Sequence, residues 1–292
     1  MQRLEQVPAP GGSATNLMAA TRGLTSPPAR EWDNFDDLGP ELTLARRPKP
    51  TVFEFSADTQ YSFVSNIALT PNNQKSDGEL FETLSLSASP RLVPGLISKV
   101  FLNQQFIRYN TYTGTNFDGQ TAGVSLSHPI GPNGNWFTLY TEFAATRLCH
   151  PWDAGEFYKE FDTRLGLVRS QALGRYVTIY YGYQLDWLPS HPAMWTRVNN
   201  ALYGGVNVLV TEKLQAQLFY RLRDQDYLQF TPVRNDLDHL VNLTLSYTWN
   251  RYLVTRIYGS YGNSASNRSV YQSAYNYQVA NGGGGLALSL KF

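Results

Sequence analysis

The chain has 292 residues, a formal net charge of +1, 16% charged and 14% aromatic residues, and a single cysteine, Cys149. A charge near zero excludes a nucleic-acid binder, which needs a basic surplus to neutralise phosphates, and one cysteine excludes an intramolecular disulfide framework or a cysteine-based metal cluster. No run approaches ~18 apolar residues, which excludes a helical membrane span but leaves a crossing by alternating strands open.

Residues 1–50 stand apart from the rest. They carry Pro and Gly in "VPAPGGS", "TSPPAR" and "RRPKP", the composition of a linker or tail. Two readings stay open: a periplasmic linker that can meet a periplasmic partner, or a segment that docks as a plug. Met1 to Gly12 is polar, so a secreted protein with this beginning is expected to have lost a signal peptide or to derive from a longer precursor.

From Thr51 to Phe292 the text becomes alternating runs parted by turn residues, the form of consecutive β-strands. Phe53, Phe55, Ala57, Tyr61 and Phe63 share one face of the first run; Glu54, Ser56, Asp58, Gln60 and Ser62 share the other. Leu84, Leu86 and Ala88 follow. The run from Lys99 to Tyr109 alternates poorly and its phase stays open. Ala122, Val124 and Leu126 mark the fourth run, and Phe137, Leu139, Phe143 and Ala145 the fifth. In the sixth, Glu160, Asp162 and Arg164 share one phase, while Phe157, Phe161, Leu165 and Leu167 share the other. Later runs centre on Val177 to Trp187, Val206 to Val210, Leu214 to Leu222, Val241 to Trp249, "LVTRIYGSYG" and "GGGGLALSLKF". About twelve strands result.

The connections separate a membrane barrel from a soluble sandwich. Those after even runs are short, such as "QALGR" and "TEK"; those after odd runs are long, such as "RDQDYLQFTPVRND" and "GNSASNRSVYQSAYNY". Tight turns on one rim and long loops on the other are the asymmetry of an up-and-down antiparallel barrel in an outer membrane, with both termini in the periplasm. Tyr183, Trp187 and Tyr261 fall toward the long-loop ends of their strands, and Tyr247, Trp249 and Phe292 toward the short-turn rim. These are the positions of two interfacial aromatic girdles. A basic charge facing lipid at the bilayer midplane costs roughly 2–4 kcal/mol, so Glu160, Asp162 and Arg164 point inward.

The chain ends in Phe292, with Leu286, Leu288 and Leu290 on its face of the last strand. This resembles the C-terminal recognition strand of Gram-negative outer-membrane proteins. The resemblance implies insertion by the barrel assembly machinery, with outer-membrane lipid and lipopolysaccharide as partners. In scale the chain also resembles the translocator barrels of autotransporters and polysaccharide secretion pores, though no motif points to either.

The same phase lines the interior with Glu54, Asp58, Glu142, Glu160, Asp162, Asp186 and Asp238, with Arg164, Arg221, Arg223 and Arg108 among them, and with Tyr140, Tyr158, Tyr176 and Tyr180. Such a wall suits either a conduit for a polar solute or extending polymer, or a sealed, salt-bridged interior. A channel or export pore is the leading reading; a non-conducting structural or adhesion barrel is the alternative. In scale the barrel also resembles outer-membrane phospholipases and lipid A deacylases. Those enzymes use a His-x-Ser pattern on one strand face that does not occur here, and Ser127 and His128 are adjacent, hence on opposite faces. His150, Asp153 and Glu156 share one loop without the spacing of a metal site, so neither metal nor cofactor is expected.

Overall fold

The computed structural model describes residues 53–292, apart from 73, 91, 92, 94, 132–135, 153, 154 and 268. Residues 1–50 lie outside the described residues, and with them the readings of that segment as linker or plug. The compact unit of residues 51–292 is an antiparallel barrel. Its strands are β1 (Phe53–Val64), β2 (Asp77–Ala88), β3 (Ile97–Tyr109), β4 (Phe117–Ile130), β5 (Phe137–Cys149), β6 (Glu156–Ala172) and β7 (Val177–Leu188). After the two-residue β8 (Ser190–His191) come β9 (Arg197–Leu209), β10 (Leu214–Tyr227), β11 (Arg234–Thr248), β12 (Leu253–Ser266) and β13 (Tyr277–Lys291). A short helix, α1 (Ser269–Tyr275), precedes β13.

Each long strand pairs with its neighbour in sequence, β7 passes directly to β9, and β13 returns to β1, so twelve strands close the sheet. β8 is the extra strand, a continuation of β7 along the edge of β6 through Lys159–His191 and Glu160–Ser190 pairs. Closure leaves no edge with unpaired backbone groups, the condition for a sheet to survive in hydrocarbon. Reciprocal bonds between the backbones of Phe53 and Phe292 set both strand ends on one rim.

Register fixes the two faces. The outward phase carries Leu102, Phe143, Leu165, Leu202, Leu218, Leu243, Ile257 and Leu286, and these side chains are widely exposed, Leu202 by 58% and Ile257 by 60%. A continuous apolar belt of this extent is a lipid-facing surface rather than a water-facing one. Tyr183, Trp187 and Tyr261 stand in the outward phase on the long-loop halves of their strands, within the apolar rows they pair with, and Tyr247 toward the other rim. Trp249 lies in the β11–β12 turn, packed edge-on against Tyr247, and Phe292 closes the same rim.

The strands run 12 to 17 residues, β8 excepted, where roughly 9–11 suffice to cross a bilayer. The excess lies on the long-loop side, where the outward phase turns polar at Asp118, Arg147, Lys159, Asn200, Asp224 and Asp226. Segments that read as loops are therefore partly strand: "RDQDYLQFTPVRND" contributes to β10 and β11 and leaves only 228–233 between them. The last strand likewise begins at Tyr277, ahead of the four glycines. Pairing there is made by backbone bonds, which need no apolar alternation.

Register also settles the strand whose phase the alternation leaves open. Val100, Leu102, Gln104, Phe106 and Arg108 of β3 face outward, with Phe101 and Ile107 inward. Polar residues outside and apolar ones inside explain the weak pattern. Phe157 departs from its expected outward place: a bulge opposite Leu148 and Cys149 makes it the extra residue. It packs instead against the buried cluster of Leu148, Tyr158, Trp195 and Tyr227, and on Phe117 and His150. Extra residues in bulges re-aim side chains in this way.

Candidate functional site

The inward phase of β5, β6 and β7 converges on one guanidinium. Arg164 donates Nη1 to Glu142 at 3.0 Å, Nη2 to Asp162 at 2.7 Å and Nε to Asp186 at 3.1 Å. The period of two places Asp162 beside Arg164 on β6, and the register sets Glu142 and Asp186 directly opposite on the flanking strands. Asp186 also accepts from Gln184 at 2.7 Å and from Asn199. Three carboxylates on one cation leave this wall net acidic.

Further pairs continue around the wall. Arg197 reaches Glu160 at 3.0 Å, and the Tyr158 hydroxyl donates to the same carboxylate. Arg223 reaches Asp238 at 2.7 Å, Arg234 pairs with Asp236, and Arg256 pairs with Asp58. Glu54 stands 3.9 Å from Lys291 at the short-turn rim. Arg221, inward between Tyr203 and Leu240, makes no ion pair among the described residues.

The large inward rings lie down rather than across the lumen. Tyr140 pairs with Gly166, Tyr203 with Gly182 and Tyr180 with Gly205. A Cβ on any of these glycines would stand 2.5 Å from the facing hydroxyl oxygen. Each tyrosine therefore covers the bare backbone of the next strand, held there by hydrogen bonds from Tyr140 to Gln184 at 3.0 Å and from Gln217 to Tyr180 at 2.9 Å. At the β1–β13 seam, Gly285 faces Thr59 so closely that a Cβ would sit 2.6 Å from its carbonyl oxygen. Inward from β2 to β5, Thr83, Ser85, Asn103, Gln105, Thr121, Ser125 and Thr138 form a half-buried polar wall, with Ser125 between Lys99 and Glu142.

The long-loop mouth is different. Leu148, Tyr158, Trp195 and Tyr227 form a buried cluster, with Phe117, Phe157, Phe230 and Tyr275 packed against it. Trp195 stands edge-on to Tyr227 at 6.3 Å, and Phe230 stands edge-on to Tyr275 at 6.0 Å. The Arg234 guanidinium lies over the rings of Tyr275 (3.5 Å) and Tyr227 (4.1 Å), which ties α1 to β10 and β11 by cation–π contact.

Of the interior residues read from the sequence, Glu142, Asp162, Arg164 and Asp186 meet in one cluster, and Tyr158 and Glu160 meet in a second. Asp58 and Glu54 stand apart near the seam, Tyr180 lies over Gly205, and Arg221 makes no ion pair among the described residues. Two readings are corrected. Arg108 stands in the outward phase, bound to Asp118 at 2.5 Å, because β3 has the opposite phase to the one an inward Arg108 needs. Tyr176 lies in the β6–β7 turn, exposed, with Arg175 over its ring. His150 stacks on Trp152 and Phe157, and Asp153 lies outside the described residues.

Sequence reasoning misses the aromatic mouth, because Trp195, Phe230 and Tyr275 fall in connections rather than in alternating runs. The available signal is the aromatic content of segments otherwise read as polar loops, "PAMWTR", "LQFTP" and "VYQSAYNY". Tyr203 and Arg197 are missed for another reason: the start of β9 reads as loop.

A closed sheet of twelve strands, apolar outside and ionic inside, defines a transmembrane β-barrel of the bacterial outer-membrane class. Solved structures agree at the level of fold. An outer-membrane channel from Pseudomonas putida F1 superposes with a TM-score of 0.56 at 10% identity, over 83% of this chain and 96% of that one. The translocator domain of the autotransporter NalP from Neisseria meningitidis gives 0.44 at 12% identity, over 83% and 90%. An anion-selective porin from Comamonas acidovorans gives 0.44 at 10% identity, over 82% and 99%. No protein-family profile matches the chain, and no curated protein matches it.

Proposed function

We propose that the barrel is an outer-membrane channel for a polar solute, with its long-loop rim outside and both termini periplasmic. The observation that carries this reading is the set of ring-over-glycine pairs. Tyr140, Tyr180 and Tyr203 are folded against the wall, where glycine alone leaves room for them, so these three rings do not reach across the bore. Twelve strands lie between the eight that side chains fill and the sixteen or more that leave an open aqueous channel. The half-buried Ser, Thr, Asn and Gln wall beside the Arg164 cluster offers hydroxyls and amides to a hydroxyl-rich solute such as an oligosaccharide or an extending polysaccharide.

The test is single-channel conductance in planar bilayers, comparing the full chain with one lacking residues 1–50. Steady conductance from both supports an open pore. Conductance only after truncation makes residues 1–50 a plug. Silence from both, with folding verified by heat-modifiable gel mobility, overturns the channel reading.

A non-conducting barrel is the second reading, and one observation favours it. At the long-loop mouth Tyr158, Tyr227, Asn199 and Asp236 are almost fully buried around the aromatic cluster. In that case the loops or the N-terminal segment carry the function by binding a partner.

A further inference from the structure

The outer face holds a cationic site at the edge of the lipid-facing belt. Arg147 on β5 and Lys159 on β6 are direct cross-strand partners, and both are outward and exposed. Their row continues to Gln120 and Gln104 on one side and to exposed His191 of β8 on the other. Side chains directly opposite on one face lie within about 5 Å at Cβ, and like charges there repel. Among the described residues neither cation has an ion-pair partner. Asp118, diagonal to Arg147, is taken by Arg108 at 2.5 Å, and Glu156 lies beyond the bulge at the start of β6. Lys159 instead lies over the ring of Phe161, 5.5 Å from its centroid.

The next row toward the membrane is Leu102, Ala122, Ala145 and Phe161, followed by Val124, Phe143 and Trp187. Two adjacent cations without an ion-pair partner among the described residues therefore sit one residue pair above an apolar surface, with amide donors alongside. The complementary ligand has a phosphate at the headgroup level and acyl chains running down that surface. The guanidinium forks onto phosphate oxygens while the ammonium supplies a point charge.

We infer that Arg147 and Lys159 bind a phosphate of lipopolysaccharide in the outer leaflet, with its acyl chains against Leu102, Phe143 and Phe161. This rests on the orientation proposed above but not on conduction: a silent barrel that binds the lipid retains it. The test is native mass spectrometry of the full chain in zwitterionic micelles titrated with bis-phosphorylated lipid A. Wild type and the charge-preserving R147K/K159R pair are expected to retain lipid A. R147Q/K159Q is expected to lose at least tenfold in affinity, each single variant less, and R169Q, an outward cation near the opposite rim, nothing. Dephosphorylated lipid A and phosphatidylglycerol are expected to bind at least tenfold more weakly. Equal retention by folded R147Q/K159Q, equal binding of phosphatidylglycerol, or displacement by equimolar inorganic phosphate would overturn the inference.

Discussion

Tyr140 and Gly166 are cross-strand partners on the inner wall, and the tyrosine ring occupies the space in which a Cβ on Gly166 would stand. All three nearest atoms to that position belong to the far end of the Tyr140 side chain, not to backbone. Gly166→Ala is therefore expected to leave the barrel intact and to swing the ring off the wall, breaking its bond to Gln184. That bond contributes about 0.5–1.5 kcal/mol net, so stability changes little. Single-channel conductance is expected to fall, and the double variant Gly166→Ala/Tyr140→Ala to recover it. An unchanged conductance in the first variant removes the ring-over-glycine argument for an open bore.

Arg164 serves three carboxylates, all mostly buried. Removing one partner of a buried ion pair leaves an uncompensated charge and costs about 3–5 kcal/mol. Arg164→Gln is expected to lower the urea midpoint of the folded band by a matching amount, and Arg164→Lys by less, since an ammonium keeps the charge without the planar fork. If the barrel conducts, Arg164→Gln also makes the wall more negative. Reversal potentials across a salt gradient should then shift toward cations. A midpoint equal to wild type would mean that water, not Arg164, compensates Glu142, Asp162 and Asp186.

The barrel was legible in the sequence because lipid imposes a strict rule on every second residue. Where strands cross the belt, as at Val177 to Trp187 or Leu214 to Leu222, alternation and register coincide. Beyond the belt the rule lapses. β10 runs on through Arg223, Gln225 and Tyr227 with polar residues on both faces, so its end read as loop. Arg108 reads as inward from the sequence because β3 mixes Gln104 outside with Phe101 inside. The Arg164 cluster follows from period and neighbouring strands, whereas the partnership of Trp195 with Tyr227 joins a connection to a strand and has no local signal. The pairing of Arg147 with Lys159 depends on a register that no single strand encodes.

The aromatic mouth predicts a gain of conductance on truncation. Trp195 is buried against Tyr227, and Phe230 bridges Tyr227, Tyr271 and Tyr275. Trp195→Ala and Phe230→Ala each remove contacts of a kind that cost about 3–5 kcal/mol in a well-packed core. Both residues lie in connections, so the loss is expected to loosen the rim and leave the sheet closed. Faster protease nicking at 189–196 and 228–233, with unchanged heat-modifiable mobility, would report that loosening. The double variant is expected to conduct more than wild type if the mouth limits flow, and the same if the constriction lies at the Arg164 level.

Phe292 closes the barrel with a backbone bond to Phe53 at 2.9 Å, while its side chain is 73% exposed on the lipid side. Backbone closure is independent of side-chain identity, so Phe292→Ala retains the pairing and the fold. The ring is widely exposed, and its removal is expected to change stability by no more than about 0.5 kcal/mol, as for surface substitutions. Assembly in cells is a separate matter: Leu286, Leu288, Leu290 and Phe292 share one face of β13, and we propose that the insertion machinery reads this apolar face before closure. Phe292→Ala is expected to refold in detergent with wild-type yield and to reach the outer membrane several-fold less. Equal cellular yield would assign the ring to the interfacial girdle alone, and a loss in both settings would make it a stability residue.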